Sequence, residues 1–306
     1  RKPARHSPGH MPAQPNAETA MIRKSIEIPE PGGPRRLSYL DWGEVDNPEV
    51  VLCVHGLTRS ARDFDRLAEA LAEDHRVICA DVAGRGESDW LKDPALYQTP
   101  TYARDMVALL DQLGVAAADW IGTSMGGIIS MAVAGNADRA VAGRIGRLVI
   151  NDIGPFLPKE AIARIGEYVG QSWRWDSLDE AEAHIRVAYA PFGPLTDAQW
   201  RTVTENSVTR TPEGAYVPGF DPAIGASFRD APAADVAMWP LWDAISCPVL
   251  VLRGGDSDLL LSETATEMKT RGPGAEVVEF AGIGHAPQLL DDDQISVVRE
   301  WLARKP

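Results

Sequence analysis

The run Val50–Val54 (VVLCV) is apolar at every position, and that property rules out a sheet with one wet face. Side chains alternate across a strand, so a fully apolar strand must be covered on both sides. Similar runs recur in RVICADV (76–82), RLVINDIG (147–154), PVLVLRGGDSD (248–258) and AEVVEFAGIGH (275–285). Helical stretches lie between several of them. Ser60 opens one, SARDFDRLAEALAEDH, with Asp63 three residues on as a capping-box variant and Phe64, Leu67 and Leu71 at helical spacing. Residues 101–114 (TYARDMVALLDQLG) form another, closed by a glycine, and LLDDDQISVVREWLARK closes the chain with cations in its last turn. IEI (26–28) and RRLSYLDWG (35–43) read as an opening strand pair. Strands alternating with helices predict an α/β fold whose strands pair in parallel, with crossover helices on both faces.

One stretch breaks the rhythm. Between residues 155 and 240 no buried-strand signal appears, only amphipathic pieces such as KEAIARIGEYVG, LDEAEAHIRVAYA and TDAQWRTVTENSV joined by Pro/Gly turns. It reads as a helical cap (155–240) inserted into a core domain formed by 21–154 and 241–306. Residues 1–20, rich in Pro and basic residues, have no apolar core of a secretory signal and are read as a disordered tail or an expression remnant.

Composition narrows the function classes. With 30 basic against 44 acidic residues, the net charge is −14. That is the wrong sign for binding nucleic-acid phosphates or an anionic membrane surface, so neither is expected as a partner. No apolar run approaches the ~20 residues of a membrane span. Three cysteines, without CxxC spacing or a His/Cys cluster, argue against structural zinc and a disulfide framework. Cys53 and Cys79 sit in apolar runs as small hydrophobes, which suits a reducing, cytoplasmic setting. A homodimer is compatible with the sequence, which fixes no oligomeric state.

The strongest chemical signal is Gly122-Thr123-Ser124-Met125-Gly126, followed by Gly127. An apolar strand precedes it and the apolar helix IISMAVA follows, the context of a tight turn that exposes a serine at a helix N-terminus. A serine hydroxyl is a weak nucleophile and needs a base. Of six histidines, His285 follows the last strand in a Gly-Ile-Gly-His-Ala-Pro loop, over the carboxyl edge of the sheet. His55 also ends a strand, and a buried structural role suits it better. The carboxylate that orients the imidazole has two candidates. Asp258 in Gly255-Asp256-Ser257-Asp258 is preferred, because its loop is long enough to reach back toward His285; Asp152, at the end of RLVIND, is the rival. Asp291-Asp292-Asp293 is explained by stabilisation of a helix N-terminus rather than by a metal.

Residues 24–306 resemble the α/β-hydrolases, specifically the capped, cofactor-free kind that includes carboxylesterases, enol-lactonases, C–C bond hydrolases and perhydrolases. His55-Gly56-Leu57, Gly84-Arg85-Gly86-Glu87-Ser88, the turn at 122–126, Gly255–Asp258 and Gly284-His285 carry the likeness, in family order. The resemblance implies an eight-stranded, mostly parallel sheet with flanking helices and a helical cap. It also implies an oxyanion hole built from the backbone amides of Leu57 and Met125. A tetrahedral intermediate needs two such donors whatever the family. Gly84–Ser88 reads as a structural turn, not a phosphate cradle. His-Gly-Leu-Thr-Arg-Ser departs from the Gly-Pro-rich loop of several C–C hydrolases, and a serine at 124 argues against dehalogenase and epoxide-hydrolase chemistry.

The expectation is therefore a serine hydrolase of carboxylic esters or lactones with Ser124, Asp258 and His285 catalytic and with no metal or organic cofactor. C–C bond cleavage or peracid formation by the same apparatus is the nearer alternative, and a non-catalytic binding protein the more distant one. Arg59 is a candidate contact for an anionic substrate group, although a solvated loop arginine is favoured. Trp173, Trp175 and Trp239 are candidate pocket residues, with packing of the cap onto the core as the competing role for each.

Overall fold

The computed structural model describes residues 21–169, 171–229 and 234–304; the tail at 1–20 lies outside the described residues. Eight strands form the central sheet: β1 (Ile22–Ile28), β2 (Arg35–Trp42), β3 (Val50–Val54), β4 (Arg76–Ala80), β5 (Ala118–Thr123), β6 (Ile145–Asn151), β7 (Val249–Gly254) and β8 (Glu276–Phe280). Their spatial order is β1-β2-β4-β3-β5-β6-β7-β8. Only β2 runs against the rest, pairing antiparallel with β1 and β4; from β4 to β8 every pairing is parallel.

The apolar run at Val50–Val54 has its explanation in the packing. Val50, Leu52 and Val54 belong to one hydrophobic core, while Val51 and Cys53 belong to the other, on the opposite face. The first core is closed by α2 (Thr99–Gln112) and α3 (Met125–Ala134), through Met106, Leu109 and Ile129. Closing the second are α1 (Asp65–Leu71) and the C-terminal helix (Asp292–Leu302), through Leu67, Leu71, Val298 and Trp301. Fully burying such side chains contributes about 1.5–3 kcal/mol each, so a polar residue at any position of the strand would forfeit that contribution.

The expected capping box at Ser60 and Asp63 does not form. Ser60 makes no side-chain cap bond and is followed by a 3-10 turn, Ala61–Phe64, before α1 begins. Asp63 is instead the ion-pair partner of Arg59.

Between β6 and β7 the chain leaves the sheet. This inserted segment contains α4 (Lys159–Tyr168), α5 (Leu178–Ala188) and α6 (Asp197–Glu205), the last with a full capping box at Thr196 and Gln199. It also contains strand pairings that the sequence did not signal. Phe156–Leu157 pairs antiparallel with Val236–Ala237, closing the segment at its base, and Val208–Arg210 pairs with Tyr216–Pro218. Its own small core is Ile185, Tyr189, Trp200 and Val203.

Candidate active site

The carboxyl ends of β5, β6 and β7 are adjacent in the sheet, so loops far apart in sequence meet at one edge. Ser124 stands between β5 and α3 with φ 53° and ψ −116°, a backbone conformation costly for a residue with a Cβ. The surrounding glycines make the turn feasible. A Cβ at Gly126 would run into the Val54 carbonyl, and one at Gly127 into the Ile153 side chain. The turn lifts the hydroxyl out of the sheet and leaves Met125 as the first residue of α3.

His285 faces that hydroxyl. Its Nε2 is 2.9 Å from Ser124 Oγ, and its Nδ1 is 2.7 Å from Asp152 Oδ2. A carboxylate oxygen only accepts, so Nδ1 carries the proton and Nε2 is left to accept from the serine. The preferred acid of the sequence reading is therefore corrected: the carboxylate on His285 is Asp152, and Asp258 is elsewhere. Asp258 forms a bidentate pair with Arg164 of α4, with Nε–Oδ2 at 2.7 Å and Nη2–Oδ1 at 2.9 Å, at a half-exposed position.

The reason lies in two loops. Asp152 follows β6 with φ 56°, which turns its side chain into the sheet edge, fully buried. There Oδ1 accepts from Gly254 N–H at 2.8 Å, and Oδ2 from Ser257 O–H at 2.6 Å as well as from His285. Three donors replace the water lost on burial. Ser257 thus faces Asp152, while Asp258, the next residue, is carried toward α4 of the inserted segment.

Several supporting residues were missed by the sequence reading. Asn151 Nδ2 donates to Thr123 Oγ1 at 3.1 Å and to the Pro287 carbonyl at 2.8 Å, tying the serine turn to the histidine loop. Arg85, fully buried, donates from Nε to the Leu57 carbonyl at 2.9 Å, and from Nη1 to the Ala83 carbonyl and the Tyr102 hydroxyl at 2.8 and 2.9 Å. Its Nη2 lies 3.6 Å from Met125 Sδ. Gly84–Ser88 is thus a turn, as its sequence suggested, but one whose arginine braces both Leu57 and Met125. Among the described residues, the amides of Leu57 and Met125 have no acceptor in the protein. A loop arginine in a turn gives no sequence signal of this kind of burial.

His55 is fully buried, with Nδ1 donating to Gly56 O at 2.7 Å and Nε2 accepting from Val82 N–H at 3.0 Å. Burial pushes its pKa down to about 4, so it stays neutral. The structural reading of this histidine agrees with that placement.

Two cavities open on Ser124. One is walled by Thr58, Arg59, Arg164, Tyr189, Phe192 and His285. The other is walled mainly by aliphatic and aromatic groups, among them Met125, Ile153, Ile162, Ile224 and Phe228, and no charged side chain lines it among the described residues. Leu57, Ser124 and Ile165 belong to both walls. Arg59 reaches the first cavity but is not a solvated loop residue. It is 6% exposed, paired to Asp63 through Nε and Nη2 at 2.8 and 2.5 Å, and bonded to Ser207.

The three candidate pocket tryptophans do not line either cavity. Trp173 and Trp175 pack around His184, at ring-centroid distances of 4.1 and 5.4 Å, in a separate recess of the inserted segment. Trp239 packs against the first core with Arg271 over its ring at 4.3 Å. Their bulk is used for packing, which was the competing role.

A hydroxyl on a strained strand-to-helix turn, an imidazole on it and a carboxylate behind, at the edge of a mostly parallel sheet, define the hydrolase class of α/β proteins. The chain belongs to the alpha/beta hydrolase fold family, whose model matches residues 49–292. It is 41% identical over 285 residues to a 3-hydroxybutyrate-oligomer hydrolase of Cupriavidus necator, covering 90% of this chain and 96% of that one. Among solved structures it is similar to an alpha/beta hydrolase from Novosphingobium aromaticivorans, at 36% identity and a TM-score of 0.81 over 92% of this chain and 99% of the other. A Rickettsia typhi protein superposes with a TM-score of 0.86 at 33% identity, covering 94% of this chain and all of that one. No helix among the described residues is long and apolar enough to cross a membrane.

Proposed function

We propose that this protein hydrolyses carboxylic esters through an acyl-enzyme on Ser124, with short hydroxyacid esters as its preferred class. The contacts of 2.9 and 2.7 Å that join Ser124, His285 and Asp152 carry this reading. His285 takes the serine proton as the hydroxyl attacks the ester carbonyl, and Asp152 holds the ring in the tautomer that can accept it. The amides of Leu57 and Met125 receive the developing oxyanion; removing one such donor typically costs about 100- to 1000-fold in rate. His285 then returns the proton to the leaving alcohol, and a water activated by the same ring releases the acid.

His285 lines the first cavity and not the second. The leaving alcohol must meet the imidazole, so the first cavity is the alcohol side and the apolar one holds the acyl chain. The inserted segment, which supplies α4 to both walls, acts as the cap. The hydroxyacid preference rests on the likeness to the 3-hydroxybutyrate-oligomer hydrolase. The free state of Cys53, Cys79 and Cys247 supports a cytoplasmic setting.

The test is steady-state and pre-steady-state turnover of p-nitrophenyl butyrate. A burst of p-nitrophenol stoichiometric with enzyme is expected, lost in Ser124→Ala along with turnover. Turnover that survives Ser124→Ala would refute the mechanism.

A further inference from the structure

We infer that Arg164 is the recognition residue for a free carboxylate on the leaving-alcohol side of the substrate, and that Asp258 competes with substrate for it. The inference rests on the serine-hydrolase reading above and names the substrate feature that this site selects: an ester whose alcohol portion is itself a carboxylic acid.

Charge within the first cavity singles Arg164 out. The wall carries two guanidinium groups, Arg59 and Arg164, and one carboxylate, Asp63. Arg59 is buried and fully engaged by Asp63 and Ser207, so that pair presents little net charge. Arg164 differs on three counts. Its partner Asp258 is not part of the cavity wall, so the guanidinium lines the cavity while its paired carboxylate does not. Its side chain is 33% exposed and that of Asp258 47%, so water can reach and loosen the pair. And Asp258 occupies only Nε and Nη2, leaving Nη1 without a protein acceptor among the described residues. A guanidinium offers forked donors matched to a carboxylate, which is the group best placed to use that edge.

The position agrees with the chemistry. Arg164 shares the cavity with His285, the proton donor to the leaving oxygen, and is absent from the wall of the apolar cavity. An anion held there sits on the alcohol portion and not on the acyl chain. Hydrolysis adds water across the ester bond, so one product is a hydroxyacid whose carboxylate was already present before cleavage.

The measurement compares two substrates that differ in that group alone: the linear dimer of 3-hydroxybutyrate with its free carboxylate, and the same dimer capped as the primary amide. Released 3-hydroxyacid or its amide is followed by chromatography. For the natural protein the free acid is expected to have the higher kcat/KM. In Arg164→Gln the ratio of the two kcat/KM values is expected to fall about tenfold, through KM for the free acid. In Asp258→Asn the ratio is expected to rise about threefold, because the competing carboxylate is gone. Both substitutions break one ion pair, so a pair that serves only as a latch between cap and core would move both substrates in the same direction in both variants. That result, or an unchanged ratio in both, overturns the inference while leaving ester hydrolysis intact. Loss of all turnover on dimer, amide and p-nitrophenyl butyrate in the natural protein would instead refute the hydrolase reading, and this inference with it.

Discussion

The ends of β6 and β7 each deliver an aspartate, and the two live in opposite surroundings. Asp152, after β6, is fully buried and receives three hydrogen bonds, from the Gly254 amide, the Ser257 hydroxyl and His285. Asp258, after β7, is half exposed and paired with one side chain, Arg164. The first arrangement fixes a carboxylate behind an imidazole at a defined distance. The second makes a surface pair of the sort that contributes about 0–1 kcal/mol. Burial with full hydrogen-bond satisfaction is what makes one aspartate a rigid part of the site and the other an adjustable one.

The sharpest way to break that contrast is substitution at both positions. Asp152→Asn is expected to lower kcat by about three to four orders of magnitude, because an asparagine amide on Nδ1 favours the wrong imidazole tautomer. Asp258→Asn is expected to leave kcat on p-nitrophenyl butyrate within about threefold. Comparable losses in the two variants would erase the distinction.

A smaller effect is expected at Arg85, whose guanidinium braces the Leu57 carbonyl. Arg85→Met removes that support and leaves buried carbonyls unpaired, at roughly 1–3 kcal/mol of stability each. On activity, a fall of about 10- to 100-fold is expected, expressed in kcat more than in KM, since the proposed oxyanion donors would bind charge that develops only after attack. Assay well below the variant's melting temperature separates this from unfolding; a loss seen only in KM would contradict the bracing role.

The smallest effect concerns His55, whose pKa lies near 4 in the folded chain against 6.5 for a free histidine. Between those values the unfolded chain binds the proton and the folded one does not. The stability from a neutral His55 is complete above pH 6.5 and is lost as the pH falls through about 4. The stability gap between the natural protein and His55→Asn, measured by urea denaturation, should therefore narrow on acidification, by up to about 3 kcal/mol. A gap independent of pH would mean that His55 is not held neutral.

Much of this was legible in the sequence because the signals were local. VVLCV announced a strand covered twice, and Gly-Thr-Ser-Met-Gly-Gly between an apolar strand and an apolar helix announced the serine turn. His285 was separable from five other histidines by its place after the last strand. The choice of acid was not legible, because both aspartates follow apolar strands. What decided it was a left-handed backbone at Asp152, where the sequence has neither glycine nor asparagine to mark it, and the alternation that turns Ser257 inward and Asp258 outward. The inserted segment was readable as helices but not as a wall. Trp173, Trp175 and Trp239 offered size without direction, and their partners, His184 and Arg271, are set by tertiary packing.

The most direct test of the account is the rate at which a fluorophosphonate labels Ser124, read by mass spectrometry of the modified peptide. The reagent needs only the activated hydroxyl and the oxyanion donors, so substrate recognition drops out. The natural protein and Asp258→Asn should be labelled at similar rates, with Asp152→Asn slower by at least about a thousandfold. Slow labelling of Asp258→Asn beside rapid labelling of Asp152→Asn would contradict it.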